Sequence, residues 1–295
     1  MRAFMARCST LLLALAALGV TQAQVPQPGP LRVQPLSATV YWVEGGIGNA
    51  GFIIGDDGVV VVDATISPDS GKELLAQIAR ITPKPVTAVI LTHGDIDHVG
   101  GLNAFPAGIQ IIAQENTLRA MQAATAAGRS RVAADHVPNH GVGDRETLTL
   151  SGVKLQLLHW APAHTAGDLV IYLPAQRIAF TGDLFALDQP RALIHREQHG
   201  SSAGWITSAQ GVLALDADRF VVGHGEVQDK QGLRARVALV TRERKQIHAL
   251  VAQGKSLAQI QAAVGDPPPG QLERPGYPHF TPFSEVVYQE LTAKP

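Results

Sequence analysis

Cysteine is almost missing from this chain: Cys8 is the only one in 295 residues. It stands within an N-terminal segment laid out like a secretory leader. Arg2 and Arg7 form a positive n-region, Leu11 to Val20 an apolar h-region, and Thr21-Gln22-Ala23 a small-residue cleavage site. Cleavage after Ala23 removes Cys8, and with it any disulfide, thiolate ligand or thiol nucleophile. Cys8 precedes the h-region, which is not the place of a lipid-attachment cysteine. The h-region is shorter than the ~20 apolar residues of a membrane span, so a cleaved leader is expected in preference to an anchor. A metal site in the remaining chain has to be built from histidine and carboxylate.

Charge is scarce as well. Charged residues make up 17% of the chain, with 24 Lys and Arg against 25 Asp and Glu. Without Arg2 and Arg7 the balance is 24 − 2 = 22 against 25, a net of −3. No basic stripe suggests a nucleic-acid partner, and no acidic tail suggests disorder. The expected protein is periplasmic or secreted, acts on a small molecule and has no stable membrane insertion once the leader is gone. Hydrophobic residues, at 45%, are ample for a buried core.

Three stretches follow from this reading: a leader over 1–23, an extended lead-in with four prolines over 24–35, and one domain over 36–295. Within the domain, "ATVYWVE", "GFIIG" and "VVVVDA" are short β-branched runs separated by glycine-rich turns, which predicts an antiparallel meander. Helical spacing from Pro68 to Ile81 puts Leu74, Leu75, Ile78 and Ile81 on one face, with Ser67 as cap. "PVTAVILT" predicts a buried strand, followed by a strand over 109–113 and a helix from about Gln114 to Ala126. Residues 128–145 read as loop. A second strand series, "ETLTLSG", "VKLQLLHW", "DLVIYLP" and "RIAFTGD", precedes a helix near 203–215, the strand "RFVVG", and helices near 233–253, 256–264 and 283–292. Two such series predict two packed sheets with helices outside.

The chemistry concentrates in "VILTHGDIDHVGG", where His93, Asp95, Asp97 and His98 fall within six residues at the end of an apolar strand. His164 in "APAHTAGDLVIYLP", Asp183 in "IAFTGDLF" and His224 in "FVVGHGE" also sit at strand ends beside glycines. Gathered at one sheet edge, these loops make a two-metal site from imidazoles and carboxylates. His136, His140, His195, His199 and His248, taken singly, read as surface residues. In the loop Leu184 to Trp205, Arg191 and Arg196 are either carboxylate-binding groups or solvated arginines, and His195 and His199 are equally open.

His93-Gly94-Asp95-Ile96-Asp97-His98 resembles the HxHxDH signature of the metallo-β-lactamase superfamily of hydrolases, with Asp95 in place of the second histidine. "AHTAGDLVIYLP" is similar to its third-histidine motif, "TGDLF" to its bridging-aspartate motif and "VVGHGE" to its last-histidine motif. "GNAGFIIGDDGVVVVDA" completes the likeness over about Leu36 to Glu226. The resemblance implies an α/β fold, a four-layer αββα sandwich, with C-terminal helices. It implies two divalent metal ions: His93, His164 and Asp95 on the first, Asp97, His98 and His224 on the second, and Asp183 between them. In the family the histidine matching Asp95 binds through Nδ1, as many bonds from Cβ as a carboxylate oxygen, so Asp95 can reach the same ion. Two dications and a hydroxide carry +3, which Asp95, Asp97 and Asp183 cancel. A carboxylate-rich first site therefore suits Zn2+ less firmly and admits Mn or Fe.

The expected reaction is hydrolysis of an ester, lactone, thioester or amide-like bond by a metal-activated water, with Asp97 as the catalytic carboxylate. Asp183 and the missing cysteine resemble lactonase and thioesterase branches more than lactamases. The fold also admits a β-lactamase, a mononuclear iron thiol or persulfide dioxygenase, or a metal-dependent binding protein that has lost hydrolysis.

Overall fold

The valine run at 59–62 becomes a fully buried strand within the first of two sheets. The computed structural model describes residues 30–45, 47–189, 191–266 and 280–293. The expected leader and cleavage site, and the expected break at 267–270, lie outside the described residues. The first half of the chain builds a seven-stranded sheet from β1 (Arg32–Pro35), β2 (Val40–Glu44), β3 (Ala50–Ile54), β4 (Val59–Val62), β5 (Val86–Ile90), β6 (Gln110–Gln114) and β7 (His140–Val142), in that order. β1 to β4 run antiparallel as a meander, and β4 to β7 run parallel. The helices α1 (Pro68–Ile81), α2 (Ile96–Val99) and α3 (Glu115–Ala126) fall in the connections between β4 and β7.

The second half builds a five-stranded sheet in the order β12-β11-β10-β9-β8. Its strands are β8 (Arg145–Leu150), β9 (Val153–Leu158), β10 (Val170–Leu173), β11 (Ile178–Ala186) and β12 (Arg219–His224). The helices α4 (Ser202–Ala214), α5 (Lys230–Ala252), α6 (Leu257–Val264) and α7 (Phe283–Thr292) pack outside it.

Alternation along β4 explains the layering. Val60 and Val62 point inward to Ile171 and Phe180 of the second sheet, and Val59 and Val61 point outward to Leu74 and Ile78 of α1. The result is helix, sheet, sheet, helix. α1 spans the residues that the periodicity predicts, and its N-terminus is closed by a capping box between Ser67 and Ser70.

Two strands depart from the sequence expectation. β7 lies in what reads as loop, because a three-residue segment has no room for alternation; it forms on the backbone edge that β6 presents. β1 lies in the proline-rich lead-in and pairs with β2 at the sheet edge, where Pro35 can be accommodated.

Phe180 fills the space between the sheets, and a Cβ on Gly51 would come within 2.2 Å of its ring. Phe180→Ala is therefore expected to cost roughly 3–5 kcal/mol of stability. Urea denaturation would register that loss as a lower midpoint at unchanged slope.

Candidate metal centre

The site occupies the edge where parallel strands end. His93 follows β5 after two residues, Asp183 lies within β11 and His224 closes β12. His164 comes from the β9–β10 connection. Asp95 is the N-cap of α2, whose first turn carries Asp97 and His98. The Gly100-Gly101 pair lets this turn settle onto the chain leaving β4: a Cβ at either position would fall 1.9 Å from the carbonyl oxygen of Ile66 or Ala64.

Each imidazole turns Nε2 inward. His98 donates Nδ1–H to Asp63 Oδ2 at 2.8 Å, and His164 donates Nδ1–H to the Leu193 carbonyl at 3.0 Å. Thr92 donates its hydroxyl to Asp63, so its oxygen is left to accept from His93 Nδ1, at 3.0 Å. These outer partners fix the ring orientations and turn the Nε2 atoms toward the centre.

The facing atoms are close. Asp183 places Oδ1 3.2 Å from His98 Nε2 and Oδ2 3.1 Å from His224 Nε2 and 3.8 Å from His164 Nε2. Asp97 lies 3.2 Å from His224 Nε2, and Asp95 Oδ2 lies 3.1 Å from His164 Nε2 and 3.7 Å from His93 Nε2. Ligands about 2.0–2.1 Å from a tetrahedral Zn2+ sit roughly 3.3 Å apart, so these separations suit shared ions. His93 Nε2, His98 Nε2 and Asp183 Oδ1 are buried and make no hydrogen bond. Buried polar atoms without partners are costly, and a cation satisfies several at once. His93, His164 and Asp183 form one group able to hold an ion, and Asp97, His98 and His224 another.

The electrostatics follow from crowding opposite charges. Burial pushes the Asp95 and Asp183 carboxyls up, but the facing histidines outweigh it and hold both well below the usual carboxylate range. Burial pulls the imidazoles down, yet the carboxylates win: Asp95 and Asp183 push His164 up to about 9, and Asp183 and Asp97 push His224 up to about 11.

Comparison with known proteins places this geometry. The sequence model of the metallo-beta-lactamase superfamily matches residues 43–224. The chain belongs to that superfamily. Among similar proteins, the 2,4-dinitroanisole O-demethylase subunit alpha of Nocardioides sp. (strain JS1661) is 29% identical over 70% of this chain and 62% of its own length. A metallo-beta-lactamase type 2 of Bacillus sp. (strain 170) is 27% identical over 59% of this chain and 65% of its own. The chain thus spans less than two thirds of either relative. A solved double mutant of the sec-alkyl sulfatase PisA1 shares the fold at a TM-score of 0.68, with 19% identity over 89% of this chain and 50% of that one.

Within this metallo-beta-lactamase fold, all seven residues singled out from the sequence converge. Asp63 was not among them. It accepts from the Thr92 amide and hydroxyl and from His98, and its own φ of 60° places it in the left-handed region. Asp168 was also missed: its carboxylate accepts from the Thr165 amide and hydroxyl and shapes the loop that carries His164. Both follow strand or glycine patterns that carry no ligand signal of their own.

His195 departs from its surface reading. Its Nδ1 stands 3.2 Å from Asp95 Oδ1, and Gln198, likewise unpredicted, donates to the same carboxylate. Arg191 and Arg196 do not face the site. Arg191 is bound by Glu243 and Asp266, and Arg196 donates to the Gly200 carbonyl. His199 is exposed at the end of the same loop. Residues 200–204 also read Gly-Ser-Ser-Ala-Gly, the pattern of a serine nucleophile, which the sequence reading overlooked. Ser202, however, is buried at the start of α4 and bonded to Glu290 and Arg244, with no histidine base among its hydrogen-bond partners.

At neutral pH His164 and His224 carry protons in the metal-free protein and must release them to bind a cation. Metal affinity should accordingly rise by roughly tenfold or more per pH unit between pH 6 and 8. Chelator competition at stepped pH measures this; a flat profile contradicts the protonated resting state.

Proposed function

We propose that the protein is an exported, dinuclear metal-dependent hydrolase of a small-molecule ester, lactone, thioester or amide-like bond. One observation carries the reading: two ligand groups lie side by side and Asp183 reaches both, its Oδ1 standing 3.2 Å from His98 Nε2 and its Oδ2 3.1 Å from His224 Nε2 and 3.8 Å from His164 Nε2. His93, Asp95 and His164 would hold the first ion, and Asp97, His98 and His224 the second. Bound ions supply Lewis acidity and lower the pKa of water toward neutrality. Zn2+ fits both groups, and the added carboxylate at position 95 admits Mn or Fe.

The chain's own residues supply the rest. Asp97 is the most exposed of the three carboxylates, with 17% of its side chain open against 8% for Asp95 and 3% for Asp183. Burial opposes its ionisation, but His98 and His224 keep its pKa low. An ionised Asp97 at the mouth of the site accepts a hydrogen bond from the attacking water, orients it, and carries its proton toward the leaving group. Phe280 lies 6.0 Å from the His164 ring and 5.1 Å from the His195 ring and gives the first-metal side an apolar wall.

Two full ligand groups favour this reading over a single-iron dioxygenase, which needs only one. Its relatives differ in the bond named, so the useful screen spans lactones, thioesters, β-lactams, nitroaryl ethers and alkyl sulfates. Export rests on the leader over 1–23, and no helix among the described residues is long and apolar enough to cross a membrane. N-terminal sequencing of exported protein should begin at Gln24; an intact Met1 in a membrane fraction contradicts this.

Asp183→Ala should lose at least one equivalent of metal and lower hydrolysis by more than about 100-fold, because it removes the ligand common to both ions. Metal analysis beside rate measurement decides it. Unchanged occupancy and rate would take Asp183 out of the centre.

A further inference from the structure

Position 95 brings a carboxylate where the metallo-beta-lactamase signature has an imidazole, and the structure brings a different imidazole to the same place. We propose that His195, from the loop between β11 and α4, is itself a ligand of the first metal. The inference rests on the two-metal reading and adds an eighth protein ligand to it.

The geometry is that of a shared ion. Asp95 uses both oxygens, Oδ2 toward His164 Nε2 at 3.1 Å and Oδ1 toward His195 Nδ1 at 3.2 Å. The ligand atoms of Asp95, His164 and His195 all lie within 4.8 Å of one another. The His164 and His195 rings are 6.1 Å apart, close to the 5.7 Å between His98 and His224, the two imidazoles of the second group.

The hydrogen bonds show which atom is free to bind. Gln198 Nε2 lies 2.6 Å from His195 Nδ1 and also donates to Asp95 Oδ1. Its two protons serve both neighbours, so His195 Nδ1 is an acceptor and carries its proton on Nε2. Two lone pairs therefore converge on one neutral NH2 donor. A cation placed there meets the same two lone pairs once the Gln198 amide swings aside.

The loop is built to hold this arrangement. The His195 amide donates to the His164 carbonyl at 2.7 Å, and the Leu193 carbonyl accepts from His164 Nδ1. The amides of Gln198 and Gly200 both return to the His195 carbonyl at 3.0 Å. Only 12% of the His195 side chain is exposed, which fits a positioned residue better than a solvated one. With Asp183, the first ion then has His93, Asp95, His164 and His195 around it. Five donors exceed the four of a tetrahedral zinc site and suit an ion that accepts higher coordination, such as Mn or Fe.

Cobalt(II)-loaded full-length protein tests this without assaying turnover. Each ligating imidazole shows one hyperfine-shifted, exchangeable N–H proton in the NMR spectrum, whereas an imidazole that merely hydrogen-bonds to Asp95 is not shifted by direct ligation. Five such signals are expected, from His93, His98, His164, His195 and His224, with the His195 signal assigned by its proximity to the Phe280 ring. Four signals with two cobalt ions bound would overturn the inference alone. No cobalt uptake would overturn it together with the two-metal reading. A single bound ion would overturn the two-metal reading, and the presence or absence of the His195 signal would still decide the inference.

Variants give a second readout. His195→Ala should weaken the first ion beyond the roughly 100-fold that marks loss of an outer partner, and leave the second ion in place. In an Asp95→His background, which restores the missing imidazole, the same change should be nearly silent. Equal losses in both backgrounds would contradict the proposal. Should His195→Ala fail to fold, the wild-type signal count still decides.

Discussion

Three ionised carboxylates, Asp95, Asp97 and Asp183, meet at one sheet edge in a space nearly closed to water. Everything near them answers to that accumulation of negative charge. Without metal, protons on His98, His164 and His224 offset it, which is why these imidazoles titrate so far above their usual range. With metal, cations replace the protons, and the proton-neutralised cluster becomes a ligand set. The sandwich serves this end. β4, β5, β11 and β12 fix the backbone from which Asp63, His93, Asp183 and His224 project. Asn49 ties the β2–β3 turn to the carbonyls of Val222 and Gly225 on either side of that edge.

Much of this was legible in the sequence because the relevant signals are local. α1 is marked by a cap, a proline and a 3.6-residue stripe, all within fifteen residues, and α7 likewise falls on Phe283–Thr292 as its spacing predicts. The seven ligand candidates stood out because histidine and aspartate at strand ends beside glycine are chemically loud. β7 was not legible. Its three residues pair because a neighbouring edge is available, and nothing in His140-Gly141-Val142 announces that. Asp63 was hidden for another reason. At the end of a valine strand it reads as a turn residue, and only the folded chain shows that it anchors His98 directly and His93 through Thr92.

His195 illustrates the limit most clearly. A lone histidine in a loop is ordinarily solvated, and its distance of 100 residues from Asp95 gives no sequence cue to their meeting. The departure at Asp95 was visible, but its counterpart was not. In the folded chain the Asp95 carboxylate and the His195 imidazole meet, Oδ1 to Nδ1 at 3.2 Å. Arg191 is a second case. Left open by the sequence between a group binding a substrate carboxylate and a solvated arginine, it is neither: it spends its charge on Glu243 and Asp266, tying the loop to the C-terminal helices.

The central claim is that these residues enclose two metal ions. Anomalous diffraction from crystals of the metal-loaded protein tests it most directly, recorded on either side of the zinc or manganese absorption edge. The account predicts two peaks, one bounded by His93, Asp95 and His164, the other by Asp97, His98 and His224, with Asp183 between them. One peak, or two peaks away from Asp183, would contradict it.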